Sequence, residues 1–161
     1  AEVKITGIGI QEHVNLNWPT NSQLDEALTE LGRLGVKVMV TELDVDVLPE
    51  HDWSGSAEVT LRLAADPVKN PYTNGLPADV QQALAKRYAD LFAIYLKHSD
   101  TISRVTLWGV TDQQSWLNDW PIPGRTSYPL LFDRIGKPKQ CFEAAIQTAR
   151  PSPTFDSASS K

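Results

Sequence analysis

The chain has 161 residues, the size of one ordinary domain, and its 41% apolar and 22% charged residues exclude a wholly disordered polypeptide. A formal net charge of −5 argues against nucleic acid or an anionic membrane surface as partner, since both recruit basic proteins; a neutral or basic ligand suits it better. One cysteine, Cys141, excludes an intrachain disulfide, and there is no run of about 18 apolar residues to span a membrane.

In chain order, residues 4–13 (KITGIGIQEH) read as a strand, with Gly7 and Gly9 marking a bend or a close backbone approach. Ser22 is the expected cap of a first helix, with Asp25 in its first turn; Leu24, Ala27, Leu28, Leu31 and Leu34 recur at helical spacing up to a terminating Gly35. Residues 36–45 (VKVMVTELDV) form a β-branched second strand. Strict alternation puts Val38, Val40, Glu42 and Asp44 on one face, and Lys37, Met39, Thr41, Leu43 and Val45 on the other. A long segment over 46–76 follows, in which 58–65 is a candidate short element. A second helix is expected from Pro77 to about Lys97, with Val80, Leu84, Tyr88, Leu91 and Tyr95 on one stripe. A third strand spans 101–110, and a second long loop precedes a final helix opened by Pro138 and carrying Phe142, Ala145, Ile146 and Ala149. Cys141 lies in this helix and reads as a plain buried thiol. The Ser/Pro-rich end, 150–161, reads as a flexible tail or linker after a single unit over 1–149.

Alternation of strand and helix implies parallel strands and an α/β class. Loops after strands are long and loops after helices short, as in a (β/α)₈ barrel, whose functional face lies at the C-terminal ends of its strands. An open doubly wound sheet has a similar pattern, but no G-x-G-x-x-G opens a helix after the first strand. The expected fold is therefore a partial barrel of about three βα units. Three strands cannot close a barrel, so two edges are left able to pair with further strands.

Polar residues collect at the three strand ends: Gln11-Glu12-His13, Thr41-Glu42-Leu43-Asp44, and Trp108 followed by Asp112, Gln113, Gln114 and Trp116. Three of five tryptophans fall between Trp108 and Trp120, a cluster suited either to stacking on sugar rings or to a local aromatic core. An inward Glu42 needs a hydrogen-bonding partner or a ligand, and His13 on the neighbouring strand is placed to reach it and Asp44. Two plainer readings compete: Glu42 as a structural carboxylate, and His13, Glu42, Asp44 and Asp46 as metal ligands, although no H-E-x-x-H or other fixed ligand spacing is present. His51 and His98 read as surface residues. No G-x-S-x-G elbow supports a serine triad.

GIGIQEH, VMVTELDV and LWGVTDQQSWL, followed by LLFDRIGKPKQCFEAA, resemble in this order the last three strands and closing segment of glycoside hydrolase family 10. The resemblance covers about Lys4 to Ala149. It implies a retaining endo-β-1,4-xylanase: Glu42 as nucleophile, His13 and Asp44 as its hydrogen-bonding supports, Gln11 near the sugar at the cleavage point, and Trp108, Trp116 and Arg125 along the non-reducing-side subsites. The family commonly has Gly where this chain has Glu12. No metal or other cofactor is implied. The substrate is xylan or its oligosaccharides, and polymer size implies a secreted, extracellular or periplasmic enzyme. The family's acid/base, a Glu following an Asn on the fourth strand, has no counterpart in this chain. The resemblance therefore also implies little activity from the chain alone, and as partner a missing N-terminal barrel half or a second copy. A carbohydrate-binding fragment without catalysis and a β-1,4-glucanase of a related barrel family are the alternatives.

Overall fold

A computed structural model describes residues 3–49, 63–64 and 66–150. His51, Trp53, most of the candidate element over 58–65 and the tail over 151–161 lie outside the described residues. The order is β1 (Gly7–Ile10), β2 (His13–Asn15), α1 (Asn21–Arg33), β3 (Lys37–Asp46), α2 (Ala78–Lys97), β4 (Ile102–Leu107) and α3 (Gln140–Ala149), with short 3₁₀ turns at Pro67–Lys69 and Asp112–Gln114. Every strand pairing is parallel and β3 is central. Gly7–Ile10 lies beside Lys37–Val40, His13–Asn15 continues that line beside Asp44–Asp46, and β4 flanks the other side. Among the described residues β1 and β4 each have one strand neighbour, so the unit is an open part of an α/β barrel.

The single first strand expected over 4–13 is two short strands, interrupted at Gln11-Glu12, where Glu12 takes a left-handed φ of 68°. The expected cap also moves. Thr20, not Ser22, caps α1, through a capping box in which the Thr20 Oγ1 accepts from the Gln23 N–H and the Gln23 side chain accepts from the Thr20 N–H. Asp25 then falls beyond the first turn and binds Lys97 and His98 at the end of α2, which leaves His98 largely buried rather than on the surface.

The core lies between the sheet and the helices. Leu24 and Leu28 of α1, Leu84, Tyr88, Leu91 and Tyr95 of α2, and Cys141 of α3 pack against Val38, Val40, Leu43 and Val45 of β3. The α2 stripe is thus read correctly from its spacing, whereas Ala27 and Leu34 of the first stripe and Ile146 and Ala149 of the last are exposed; the four β3 residues, all fully buried, contribute roughly 1.5–3 kcal/mol each by leaving water. Cys141 is 1% exposed with its Sγ against the Leu130 carbonyl at 3.6 Å, and burial pushes its thiol up to about 11. It is expected to be unreactive toward a disulfide reagent at pH 8 until denaturant is added; rapid labelling of the native chain would contradict this burial.

One irregularity decides what the sheet presents. Val38, Val40, Leu43 and Val45 share the helix side, which strict alternation forbids. Ile10 pairs with Val40 but His13 with Asp44, and Val40 pairs with Val105 but Leu43 with Leu107. β3 therefore contains one extra residue between Val40 and Leu43 against β4, and one between Val40 and Asp44 against β1 and β2. Such a bulge reverses which side every later side chain takes. Below it Met39 and Thr41 point to the barrel interior, where the missing Cβ of Gly9 leaves room for Thr41: a Cβ there would lie 3.2 Å from the Thr41 Cγ2. Above it Glu42 and Asp44 take the interior side. Glu42 points inward because of the bulge, and lies opposite to Val38 and Val40 rather than alongside them.

Candidate active site

The strand ends bring His13, Glu42, Asp44 and Trp116 together. The His13 ring bridges the two carboxylates, with Nε2 at 3.1 Å from Glu42 Oε2 and Nδ1 at 2.9 Å from Asp44 Oδ1. Asp44, 1% exposed, also accepts the Trp116 Nε1–H at 2.7 Å on Oδ2. Both Asp44 oxygens are thereby bound, while Glu42 is only half-buried and its Oε1 has no hydrogen-bond partner among the described residues. The backbone reinforces the alignment: the Glu42 N–H donates to the Gln11 carbonyl at 3.0 Å, and the Trp108 N–H to the Leu43 carbonyl at 2.9 Å.

A neutral imidazole donates from one nitrogen only, whereas His13 faces carboxylate oxygens with both, which favours the doubly protonated cation. Burial works to lower its pKa, but the hydrogen bonds and charges of Asp44 and Glu42 outweigh it, and the net direction is upward from 6.5. The folded-state value being raised, the stabilisation from the cation is complete below the unfolded-state value near 6.5. It is lost as pH rises through the folded-state value. In an NMR titration, the His13 ring signals are expected to move at a pH above 6.5, and a midpoint below 6.5 would contradict the bridging geometry.

The aromatic cluster is part buried and part exposed. Trp120 is buried and packs on Trp116, ring centroids 4.5 Å apart; Trp116 in turn lies 5.1 Å from the His13 ring. Trp108, 45% exposed, stands edge-on to His13 at 6.3 Å and leaves ring surface open at the same strand ends. Gln11 is exposed at the same strand end. Gly109 holds φ 139°, and a Cβ there would come within 2.7 Å of Leu130 Cδ1, so glycine lets the chain turn away directly after Trp108.

Arg125 is the expected substrate-binding residue that is not brought to the surface. It is 2% exposed, and its Nη2 donates to Asp46 Oδ2 at 3.1 Å, while Nε and Nη1 have no hydrogen-bond partner among the described residues. Its loop folds inward because Ile122 and Leu130 on either side are themselves buried. The Asp46 carboxyl is pushed up by burial, against the opposing pull of Arg125. The other carboxylates near the rim have their own attachments. Asp112 is fully buried, binding the Lys139 Nζ at 2.9 Å and the Leu130 N–H, and burial raises its pKa against the pull of Lys139. Asp119 caps a turn at Gly124. Glu12 reaches toward Tyr95 of α2. Among the described residues no group of three or more His, Cys, Asp or Glu is arranged to hold a metal ion, and both His13 nitrogens are engaged by carboxylates.

Sequence reading missed Arg87, which is 5% exposed and ties α2 to the residues after His13. Its signal was present: a cation three residues after Leu84 and four before Leu91 sits inside an apolar helical stripe.

An open set of βα units with a histidine-held carboxylate at the C-terminal strand ends, beside exposed tryptophan, defines an α/β-barrel protein of the kind whose rim carries its site. The profile of glycosyl hydrolase family 10 matches residues 1–148, and the chain belongs to that family. It is 40% identical over 147 residues to endo-1,4-beta-xylanase A of Xylanibacter ruminicola, covering 91% of this chain and 40% of that protein. It is 36% identical over 140 residues to a beta-1,4-xylanase of Dictyoglomus thermophilum, covering 87% of this chain and 35% of that one. The solved structure of a GH10 endoxylanase retrieved from a sugarcane soil metagenome superposes with a TM-score of 0.84 at 49% identity, over 89% of this chain and 41% of its own. The chain thus spans about two fifths of the length of these relatives and matches a C-terminal portion of the family's barrel.

Proposed function

We propose that the chain is the nucleophile-bearing part of a retaining endo-β-1,4-xylanase, exported to meet its polymeric substrate. The observation that carries this reading is the Glu42–His13–Asp44–Trp116 chain of hydrogen bonds. It orients one carboxylate, one of whose oxygens has no partner among the described residues, and Trp108, edge-on to the same His13, offers an exposed ring on which a sugar can stack. Glu42 attacks the anomeric carbon and the glycosidic bond breaks; water then releases the sugar from the glycosyl–enzyme ester. The His13 cation and the Asp44 charge hold Glu42 in the orientation for attack and do not themselves bond to the sugar. Departure of the leaving oxygen requires a second carboxyl group, roughly 5–5.5 Å from the first. Among the described residues Asp46, Asp112, Asp119 and Glu12 each have partners of their own; in this reading the second carboxyl group is supplied by further barrel strands that pair with the open edge of β1.

The test is to join this chain to the N-terminal barrel strands of the Xylanibacter ruminicola relative and to assay xylan and cello-oligosaccharides. The expected result is xylan hydrolysis by the joined protein and none by the 161-residue chain. Hydrolysis by the chain alone, lost on Glu42→Ala, would refute the division of the two carboxyl groups. Xylan binding without hydrolysis by the joined protein would favour a binding fragment, and preference for cello-oligosaccharides a glucanase.

A further inference from the structure

Glu12 occupies a position that ordinarily favours glycine. Its φ of 68° is left-handed, a conformation that costs a residue with a Cβ about 1 kcal/mol relative to glycine. The resemblance to the family puts glycine here as the common residue. What the glutamate adds lies on the helix side of the sheet. Its Oε2 accepts from the Tyr95 hydroxyl at 3.4 Å, and Tyr95 is 3% exposed.

Arg87 lies two turns earlier on the same helix, about 12 Å along its axis. Among the described residues its donors go to uncharged oxygens: Nε to the Asn15 carbonyl at 3.1 Å, Nη1 to Asn21 Oδ1 at 2.8 Å and Nη2 to the Pro19 carbonyl at 2.6 Å. A buried guanidinium with only neutral hydrogen-bond partners needs a counter-charge nearby. Glu12 and Asp90 act on it through space, and Asp90 is already held by Lys86 and Asn21. The two contacts bracket His13: Tyr95 holds Glu12, one residue before it, and Arg87 holds Asn15, two residues after it. Glu12 to Asn15 spans roughly 10 Å of extended chain, which matches the helix spacing when helix and strand run in opposite directions.

We infer that Glu12 and Arg87 are positioning residues: through them α2 grips the backbone on both sides of His13 and so sets the imidazole between Glu42 and Asp44. The inference rests on the reading of His13 as the group that orients Glu42, yet it is tested without turnover. The measurement is the His13 titration by NMR in the 161-residue chain, with unfolding in urea recorded alongside.

Glu12→Asp keeps the charge but withdraws the carboxylate by one methylene. The contact with Tyr95 is already near the limit of a hydrogen bond, so it is lost. Arg87→Lys keeps the charge but loses the fork that reaches Asn15 and Pro19. Both variants are expected to lower the His13 midpoint by about half a unit or more toward its ordinary value, because the ring leaves its two acceptors. Glu12→Gly, which relieves the left-handed backbone, is expected to do the same, with a cooperative urea transition showing that the variant folds. An unchanged His13 midpoint in Glu12→Asp and Glu12→Gly would overturn the inference. So would a fall in Glu12→Gly alone, which would make Glu12 a direct electrostatic neighbour. If the joined xylanase proves inactive while the His13 midpoint still responds, the nucleophile reading fails and the grip stands.

Discussion

In the joined xylanase, Glu42→Ala is expected to lower turnover of xylan by about 10⁴-fold or more, the scale on which loss of a covalent nucleophile is felt. The pathway requires a bond from Glu42 to the anomeric carbon, and no other carboxylate on its strand can substitute. Asp44 has both oxygens bound, to His13 and Trp116, and Asp46 is held by Arg125. The His13 cation is unaffected in position by the missing Glu42, because Asp44 keeps its Nδ1, so the variant should remain folded with an empty space where the carboxylate stood. That space permits a sharper test than loss of rate. A small anion such as azide can enter it and attack the same face of the sugar when the leaving group is an activated phenol. One displacement then replaces two, and the product carries the inverted configuration. Rescue by azide with inversion identifies the nucleophile. Rescue with retained configuration would assign Glu42 to the acid/base role, and a variant with near-normal turnover would remove it from the chemistry.

Why the sequence led to Glu42 and yet misjudged its surroundings is a matter of which forces leave a local trace. The stripe Val80, Leu84, Tyr88, Leu91, Tyr95 and the β-branched run of β3 are repeated signals, and both elements form within a residue or two of their expected bounds. Three features carried by single residues were not legible. The extra residue in β3 has no signature in VMVTELDV; it emerges only when three strands are paired, and it reverses the side on which Glu42 sits. The inward orientation was correct, but the alternation from Val38 and Val40 that led to it was not. The interruption at Glu12 hides because glutamate, unlike glycine, does not announce a left-handed backbone. The inward turn of Arg125 depends on Asp46, seventy-nine residues away in the chain. What remained readable was chemical type at strand ends, since a barrel gathers these at one rim whatever the register below them.

Asp44 is where fold and site depend on the same atoms, and its replacement tests both. Asp44→Ala is expected to lower the unfolding free energy by about 3 kcal/mol, because a nearly inaccessible carboxylate with two donors aimed at it disappears and leaves the donors behind. Asp44→Asn should recover only part of this. Its amide has one acceptor atom for the two donors and must turn an NH₂ toward the other. In the same variant His13 loses the carboxylate that does most to hold its proton, so its titration midpoint is expected to fall. The cost in Asp44→Ala should be largely donor-dependent. In a Trp116→Phe background the indole N–H is gone, and removing both partners of a buried hydrogen bond costs less than removing one. The double variant is therefore expected to be more stable than the two single losses added together, by about 1 kcal/mol, read from urea midpoints at constant slope. Strict additivity would mean that the Trp116–Asp44 contact at 2.7 Å carries no energy of its own, and that the orientation of Glu42 rests on His13 alone.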